Sequence, residues 1–370
     1  MRVLGVSARD FRSYASAEVD FGPGLTVITG PNGAGKTNLL EALYFGCTGR
    51  SCVTANEREV VRFGQGATRV AVRAESPDGA HELTVGFVPG EPKRMRADGA
   101  VVERMVDVVQ RPLVSVFLPD RLELVKGAPS LRRAHLDQLV AALWPARVST
   151  RRAYAQTLAQ RNALIGRVRS GQVAIDSLAA WDRQLAQHGV ALMADRDRAA
   201  RAITEPFVRC CAELGLDGDP EVAYRPRSRA SDVDSLVTEL AERRESDVER
   251  GFTGHGPHRD DLRLARRDRE LRAYGSQGQQ RLGLLGLLLA EREAIADRRQ
   301  APPVMLLDDV MSELDRTRRR ALVELLRSSG GQSVITATDL DQVPGSDESD
   351  VAHLAVLDGD VRAAIPGVAG

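Results

Sequence analysis

The sequence predicts an α/β core interrupted by an inserted α-helical lobe, and three observations carry that prediction. Near the N-terminus a short apolar strand runs through a glycine-rich loop into a helix. Near the C-terminus a second apolar run ends in two adjacent carboxylates. Between them, from about Ser130, the hydrophobic residues shift from strand-like to helix-like spacing. At 370 residues the chain has room for two or three domains with their own cores. The pattern divides it into an N-terminal part of the core at 1–116, a mainly helical lobe at 117–250, and a C-terminal part of the core at 251–370.

The elements follow in order. Val3-Leu4-Gly5-Val6 and Ala17-Glu18-Val19-Asp20-Phe21 read as strands around a turn, and Leu25-Thr26-Val27-Ile28-Thr29 as a buried strand. Further strands are expected at 68–72, 82–88 and 113–117, punctuated by Pro and Gly as in Pro89-Gly90-Glu91-Pro92. Ser130 is the expected N-cap of a helix carrying Leu131, Leu136, Leu139, Val140 and Leu143, which stops near Pro145. Tyr154, Leu158, Ile165 and Val168 mark a second helix. Leu178, Trp181, Leu185 and Leu192 mark a third, running towards Pro206. Arg151, Arg152, Arg161, Arg167, Arg169, Arg183, Arg196 and Arg198 line the polar sides of these helices and read as a solvated face, with a phosphate-facing surface as the alternative. The apolar runs Val304-Met305-Leu306-Leu307 and Ser333-Val334-Ile335-Thr336 suit parallel strands buried on both faces.

The loop Gly30-Pro31-Asn32-Gly33-Ala34-Gly35-Lys36-Thr37 fits G-x-x-x-x-G-K-[ST] at every fixed position, and Asn38 continues it into the helix. Its glycines let consecutive backbone N–H groups close around phosphates, and the helix N-terminus adds partial positive charge. Lys36 would reach the terminal phosphates, and the Thr37 hydroxyl would ligate Mg²⁺. Only three of the 51 basic Lys and Arg residues are lysines, and one stands here, where a compact ammonium fits better than a planar guanidinium. These residues point to a nucleoside triphosphate.

The partner motifs narrow the reading. At the end of its strand Asp308 would hold Mg²⁺, directly or through water, and Asp309 would orient or deprotonate an attacking water. Tyr274-Gly275-Ser276-Gln277-Gly278-Gln279-Gln280-Arg281 leads into the apolar helix at 282–290 and makes a second anion-binding helix start, with Ser276, Gly278 and Gln279 as nucleotide contacts. Two such starts in one chain suggest one nucleotide held between two molecules. Met311-Ser312-Glu313-Leu314-Asp315 reads as a turn bordering that interface.

Together these motifs resemble the heads of ATP-binding-cassette proteins: 30–37 as Walker A, 276–280 as the signature, 306–309 as Walker B and 312–315 as the D-loop. The continuation Lys36-Thr37-Asn38-Leu39-Leu40-Glu41-Ala42 looks like the chromosome-maintenance branch, and the segment to Ser276 lacks the sustained heptads of long-armed members. Within that branch the chain closely resembles the RecF family of bacterial recombination mediators. The resemblance runs through Phe11-Arg12-Ser13-Tyr14, Gly49-Arg50-Ser51, Gly127-Ala128-Pro129 with Arg132-Arg133, and Gly256-Pro257-His258-Arg259-Asp260-Asp261. It implies an ATPase head with a helical lobe that binds ATP and Mg²⁺. ATP would dimerise it across two shared sites, with weak hydrolysis acting as a switch. It further implies binding to single-stranded and gapped DNA and their junctions. RecR and RecO would be partners in loading RecA for repair, replication restart and SOS induction, at the nucleoid in the cytoplasm. Two departures stand out: Asp309 is one methylene shorter than the glutamate of many cassette ATPases, and Ala337-Thr338 stands where a switch histidine is expected. The Q-loop position near 112–119 holds no matching glutamine, and Gln110 is the nearest candidate.

Composition limits the alternatives. Lys+Arg and Asp+Glu are both 51, so a nucleic-acid surface must be a local patch. Cys47, Cys52, Cys210 and Cys211 show neither metal nor disulfide spacing, which fits a reducing compartment. The apolar run at 282–290 is about half a membrane span. The competing reading, an ATPase that powers a membrane transporter, is opposed by the Gln-rich signature, the helical insert and the continuation after Lys36. His255 and His258 lack a third metal ligand, and Arg263, Arg266, Arg267, Arg269 and Arg272 fit either a DNA track or a solvated hairpin.

Overall fold

The computed structural model describes residues 1–363, leaving aside the side chains at positions 120 and 121; positions 364–370, assigned above to the C-terminal segment, lie outside the described residues. The chain forms two compact units, Met1–Arg121 with Ile295–Gly370, and Leu122–Ala294.

The first unit contains two six-stranded sheets. One is antiparallel, in the order Tyr14–Asp20, Arg2–Phe11, Thr68–Ser76, Gly79–Phe87, Arg94–Ala97, Ala100–Val102. Thr68–Ser76 alternates buried and exposed residues, as one packed face requires. The other sheet runs Asp360–Ala363, Ala352–Leu357, Leu25–Thr29, Ser333–Ala337, Val304–Leu307, Val114–Phe117, all parallel except the terminal hairpin. Val304–Leu307 and Ser333–Ala337 are buried along their full length, the pattern of a parallel sheet covered on both faces. Because the strands are parallel, Leu25–Thr29, Val304–Leu307 and Ser333–Ala337 all end at one edge, where such sheets place ligands. The helix Lys36–Thr48 packs against the antiparallel sheet so closely that a Cβ on Gly46 would lie 2.4 Å from Val72 Cγ2.

The second unit joins the helices Pro129–Leu143, Val148–Arg169, Leu178–Glu213, Val233–Ala241 and Arg244–Arg250 to a three-stranded antiparallel sheet. Residues 251–294, which the sequence pattern grouped with the Asp308 half, pack inside this unit. The reason is strand pairing: Asp261–Arg266 bonds to Pro220–Arg225, a strand that the helical spacing around it had concealed.

Two helix boundaries also differ from expectation. The helix expected to start after Ser130 begins at Pro129, with Ala128 in the cap position and no side-chain cap. Proline suits the first helical position because its missing N–H would have no partner there anyway. The third helix does not stop at Pro206 but continues to Glu213. An interior proline removes one hydrogen bond and costs about 3 kcal/mol. Ile203, Phe207, Cys210 and Cys211, all buried, hold the two turns together around it.

The arginine-rich face is not uniformly solvated. Arg161 is fully buried, donating to Asp182 at 2.7 Å, Asp247 at 2.8 Å and Thr253 at 2.7 Å. Arg196 is also buried, with both oxygens of Asp137 at 2.8 and 3.1 Å, Asp260 at 3.2 Å and the Pro257 carbonyl at 2.7 Å. Arg151, Arg152, Arg167, Arg169, Arg183 and Arg198 are exposed, as expected. Aspartates brought in by distant segments decide which arginines turn inward.

Candidate functional site

The phosphate loop leaves the parallel sheet at Gly30, whose φ of 153° and lack of a side chain are both required: a Cβ there would lie 2.2 Å from the Val356 carbonyl oxygen. Gly35, with φ 115°, caps the helix without any side-chain acceptor, so the N–H groups of the first turn have no side-chain partner at the cap. Tyr14 donates to the Gly35 carbonyl at 2.9 Å, and Asn38 donates to Ser13 at 2.9 Å, so the Arg12–Ser13–Tyr14 turn braces the loop from outside. Arg12 in turn forms a bidentate pair with buried Glu41 at 2.7 and 2.9 Å.

Lys36 folds back across the loop and donates to the carbonyls of Gly30 at 2.6 Å and Pro31 at 3.0 Å. Burial lowers the pKa of its ammonium, against the opposing fields of Asp309 and Asp308. Thr37 donates to Asp308 Oδ2 at 2.7 Å, closing a gap of 271 positions in sequence. Asp308 Oδ1 accepts from Thr336 at 2.7 Å. Burial raises the Asp308 carboxyl above the usual range, opposed by these two hydrogen bonds and by Lys36, and reinforced by Asp309.

Asp309 takes a left-handed conformation, with φ 45°, uncommon for a residue with a Cβ although aspartate tolerates it better than most. Its N–H donates to Thr336 Oγ1 at 2.9 Å, and its Oδ2 accepts from Ser312 at 2.9 Å. Its Oδ1 is buried with no hydrogen-bond partner.

The structure thus brings Lys36, Thr37, Asp308 and Asp309 together in the first unit, as the motifs required, and seats Asn38 beside the loop. Ser276, Gly278 and Gln279 belong to the second unit. There Ser276 and Gln279 bond each other's backbone N–H reciprocally, at 3.0 and 3.3 Å, capping the helix Gln277–Arg299. Gly278 is exposed, and a Cβ on it would meet nothing within 4 Å. Packing within the unit therefore does not demand a glycine there. Gln280 turns inward to bond the Leu271 carbonyl at 2.8 Å.

Other expectations resolve locally. Gln110 lies in an exposed turn. Thr338 accepts from Gln342 at 2.7 Å, and on that strand it is Thr336 that faces the carboxylates. His255 bonds Glu239 at 2.5 Å; His258 bonds Tyr154 through Nδ1 at 2.8 Å and the Thr253 carbonyl through Nε2 at 2.9 Å, which uses both ring nitrogens. Arg263 is paired with Asp268 in the turn of its own β-hairpin and with Glu221 on the neighbouring strand.

Sequence reasoning did not assign Arg12, Ser13, Tyr14 or Thr336. The first three lie in a quoted motif whose job only the fold discloses. Beside them opens a cleft of about 680 Å³ lined by Arg12, Ser13, Asn38, Arg58, Arg62 and the fully exposed Phe63.

Comparison with known proteins agrees with this geometry. A profile described as an AAA domain matches residues 6–94. The DNA replication and repair protein RecF of Herpetosiphon aurantiacus is 35% identical, over 96% of this chain and 98% of its own. That of Myxococcus xanthus is 38% identical, over 98% and 97%. A solved structure of the recombination mediator protein RecF with ATP, in the RecFOR pathway, superposes with a TM-score of 0.85 at 27% identity, covering 98% of both chains. An Smc head bound to the C-terminal winged-helix domain of ScpA, 15% identical with a TM-score of 0.59 over 98% of this chain and 97% of its own, shares the fold. The fold is that of an α/β ATPase head with a helical region, and the chain belongs to the RecF family of DNA replication and repair proteins.

Proposed function

We propose that this protein is an ATP- and Mg²⁺-dependent DNA clamp that closes by dimerising on gapped and single-stranded DNA. The observation that carries the nucleotide half is the Lys36–Thr37–Asp308 cluster at the end of three parallel strands. Lys36 and the N–H groups around Gly33 and Gly35 would hold the terminal phosphates. The cleft beside Ser13 and Asn38, with its exposed Phe63, offers room and an aromatic face for the nucleoside.

The donor set fits a hard divalent cation. Thr37 and Asp308 present a hydroxyl and a carboxylate oxygen 2.7 Å apart, the oxygen ligands that Mg²⁺ takes with phosphates. Bound there, the ion would neutralise charge developing on the transferred phosphoryl group. Asp309 is the carboxylate that would orient the attacking water, with its Oδ2 held by Ser312 and its Oδ1 still without a hydrogen-bond partner. A carboxylate one methylene shorter than glutamate favours slow turnover, and so use of the nucleotide as a switch.

The exposed Ser276–Gly278–Gln279 helix start supports a shared site, in which a second copy would offer this start to the nucleotide on the first. Family membership supports work on DNA with RecR and RecO in loading RecA, during gap repair, replication restart and SOS induction.

Asp309→Asn tests the reading. Hydrolysis should fall by on the order of 100-fold, while sedimentation with ATP, Mg²⁺ and gapped DNA should show a dimer that outlasts the wild-type one. A variant that stays monomeric at saturating ATP and Mg²⁺ would sink the shared-site mechanism.

A further inference from the structure

We infer that Thr336 is a positioning residue that sets both carboxylates of the site through a single hydroxyl. The inference rests on the nucleotide site proposed above and assigns a role to a residue that no phosphate-binding motif contains. Strand register brings it there: Leu307 pairs with Ile335, so the residues that follow, Asp308 and Thr336, emerge side by side at the sheet edge. Thr336 has no solvent exposure. Its hydroxyl donates to Asp308 Oδ1 at 2.7 Å and accepts from the Asp309 N–H at 2.9 Å.

Each bond has a separate consequence. A hydroxyl has one proton, so donating it to Asp308 fixes which lone pairs remain for the Asp309 N–H. The bond to Oδ1 holds the carboxylate with Oδ2 towards Thr37, the orientation that two oxygen ligands of one cation need. The bond from the Asp309 N–H steadies a left-handed backbone that an aspartate otherwise adopts at a cost. That conformation in turn aims the Asp309 side chain, whose Oδ2 is held by Ser312. The chain has Ala337 where a polar switch residue was expected, and Thr338 is engaged by Gln342. On this strand the polar contact to the carboxylates comes from Thr336.

The test compares Thr336→Val, which keeps the shape and removes the hydroxyl, with Thr336→Ser, which keeps the hydroxyl. Binding of a fluorescent ATP analogue is titrated with MgCl₂ and also measured without divalent ion. For Thr336→Val the Mg²⁺ concentration at half effect should rise ~10-fold or more, the usual scale for losing a group that orients a metal ligand. Metal-free binding should stay within about twofold of wild type, since the loop's own phosphate contacts are intact. Thr336→Ser should restore the Mg²⁺ response. A Val variant with the wild-type response overturns the inference, and so does a Ser variant as impaired as the Val one. Should Thr336→Val not fold, Thr336→Ala is read by the same criteria. If wild type binds the analogue without any response to Mg²⁺, the proposed site itself falls, a result visible before any variant is made.

Discussion

Lys36 in the phosphate loop and Arg161 in the helical unit are both withdrawn from solvent, at 8% and 0% exposure, yet their surroundings differ in kind. Lys36 donates to two neutral carbonyl oxygens, and among the described residues no carboxylate lies within ion-pair distance of it. Arg161 meets two carboxylates and a hydroxyl. A buried cation with neutral partners keeps its charge available to an incoming anion, whereas a matched one has spent it on the architecture. The same contrast separates the carboxylates. Asp309 keeps a buried oxygen unpartnered, while Asp260 is wrapped by Arg196, Tyr224 and the Arg227 N–H.

The comparison can be broken by mutation. The largest effect is expected from Arg161→Ala, which among the described residues leaves buried Asp247 with no cation and only the Gly254 N–H, and Asp182 with Arg244 alone. Denaturant unfolding should show a loss of ~3–5 kcal/mol, with ATP-analogue binding by the remaining folded protein unchanged. If stability holds, the Arg161 network is not a folding element.

The next effect is a pH dependence seated in the same unit. Burial pushes His258 down from 6.5 to about 4, opposed by its bond to Thr253. Between these values the unfolded chain takes up a proton that the folded one refuses, so stability is full above pH 6.5 and falls as the pH drops towards 4. The loss should reach about 3 kcal/mol, and His258→Gln should flatten the slope in that window. Equal slopes for both proteins would remove His258 from the account.

Lys36→Ala sharpens the contrast from the other side. Nucleotide affinity should fall by ~1.5–3 kcal/mol, the worth of a charged hydrogen bond, with a nearly unchanged unfolding midpoint in the absence of nucleotide. A large stability loss would place Lys36 with Arg161 as a structural cation.

How far these features could be read from the sequence follows from how far apart their parts lie. The phosphate loop was legible because strand, loop and helix are contiguous and the conformation needed at Gly30 and Gly35 restricts the residue type. Val304–Leu307 was legible, with its bounds, because a strand buried on both faces must be continuously apolar. Arg161 and Arg196 were not. On a helix a buried arginine has the same spacing as a solvated one, and their partners Asp182, Asp247, Asp137 and Asp260 lie 21 to 86 positions away. Pro206 misled for a related reason, since local propensity favours a stop and burial of the flanking turns overrides it.

Local pattern was enough to place a triphosphate-type loop, a pair of carboxylates and a second anion-binding helix start in one α/β chain, because each is a short-range pattern with its own steric or electrostatic demand. Which groups meet was settled by the fold. The Arg12–Ser13–Tyr14 turn braces the loop, Thr336 lies beside Asp308, and residues 251–294 pack with the helical unit. Those pairings depend on strand register and on partners far along the chain, and no local spacing records either.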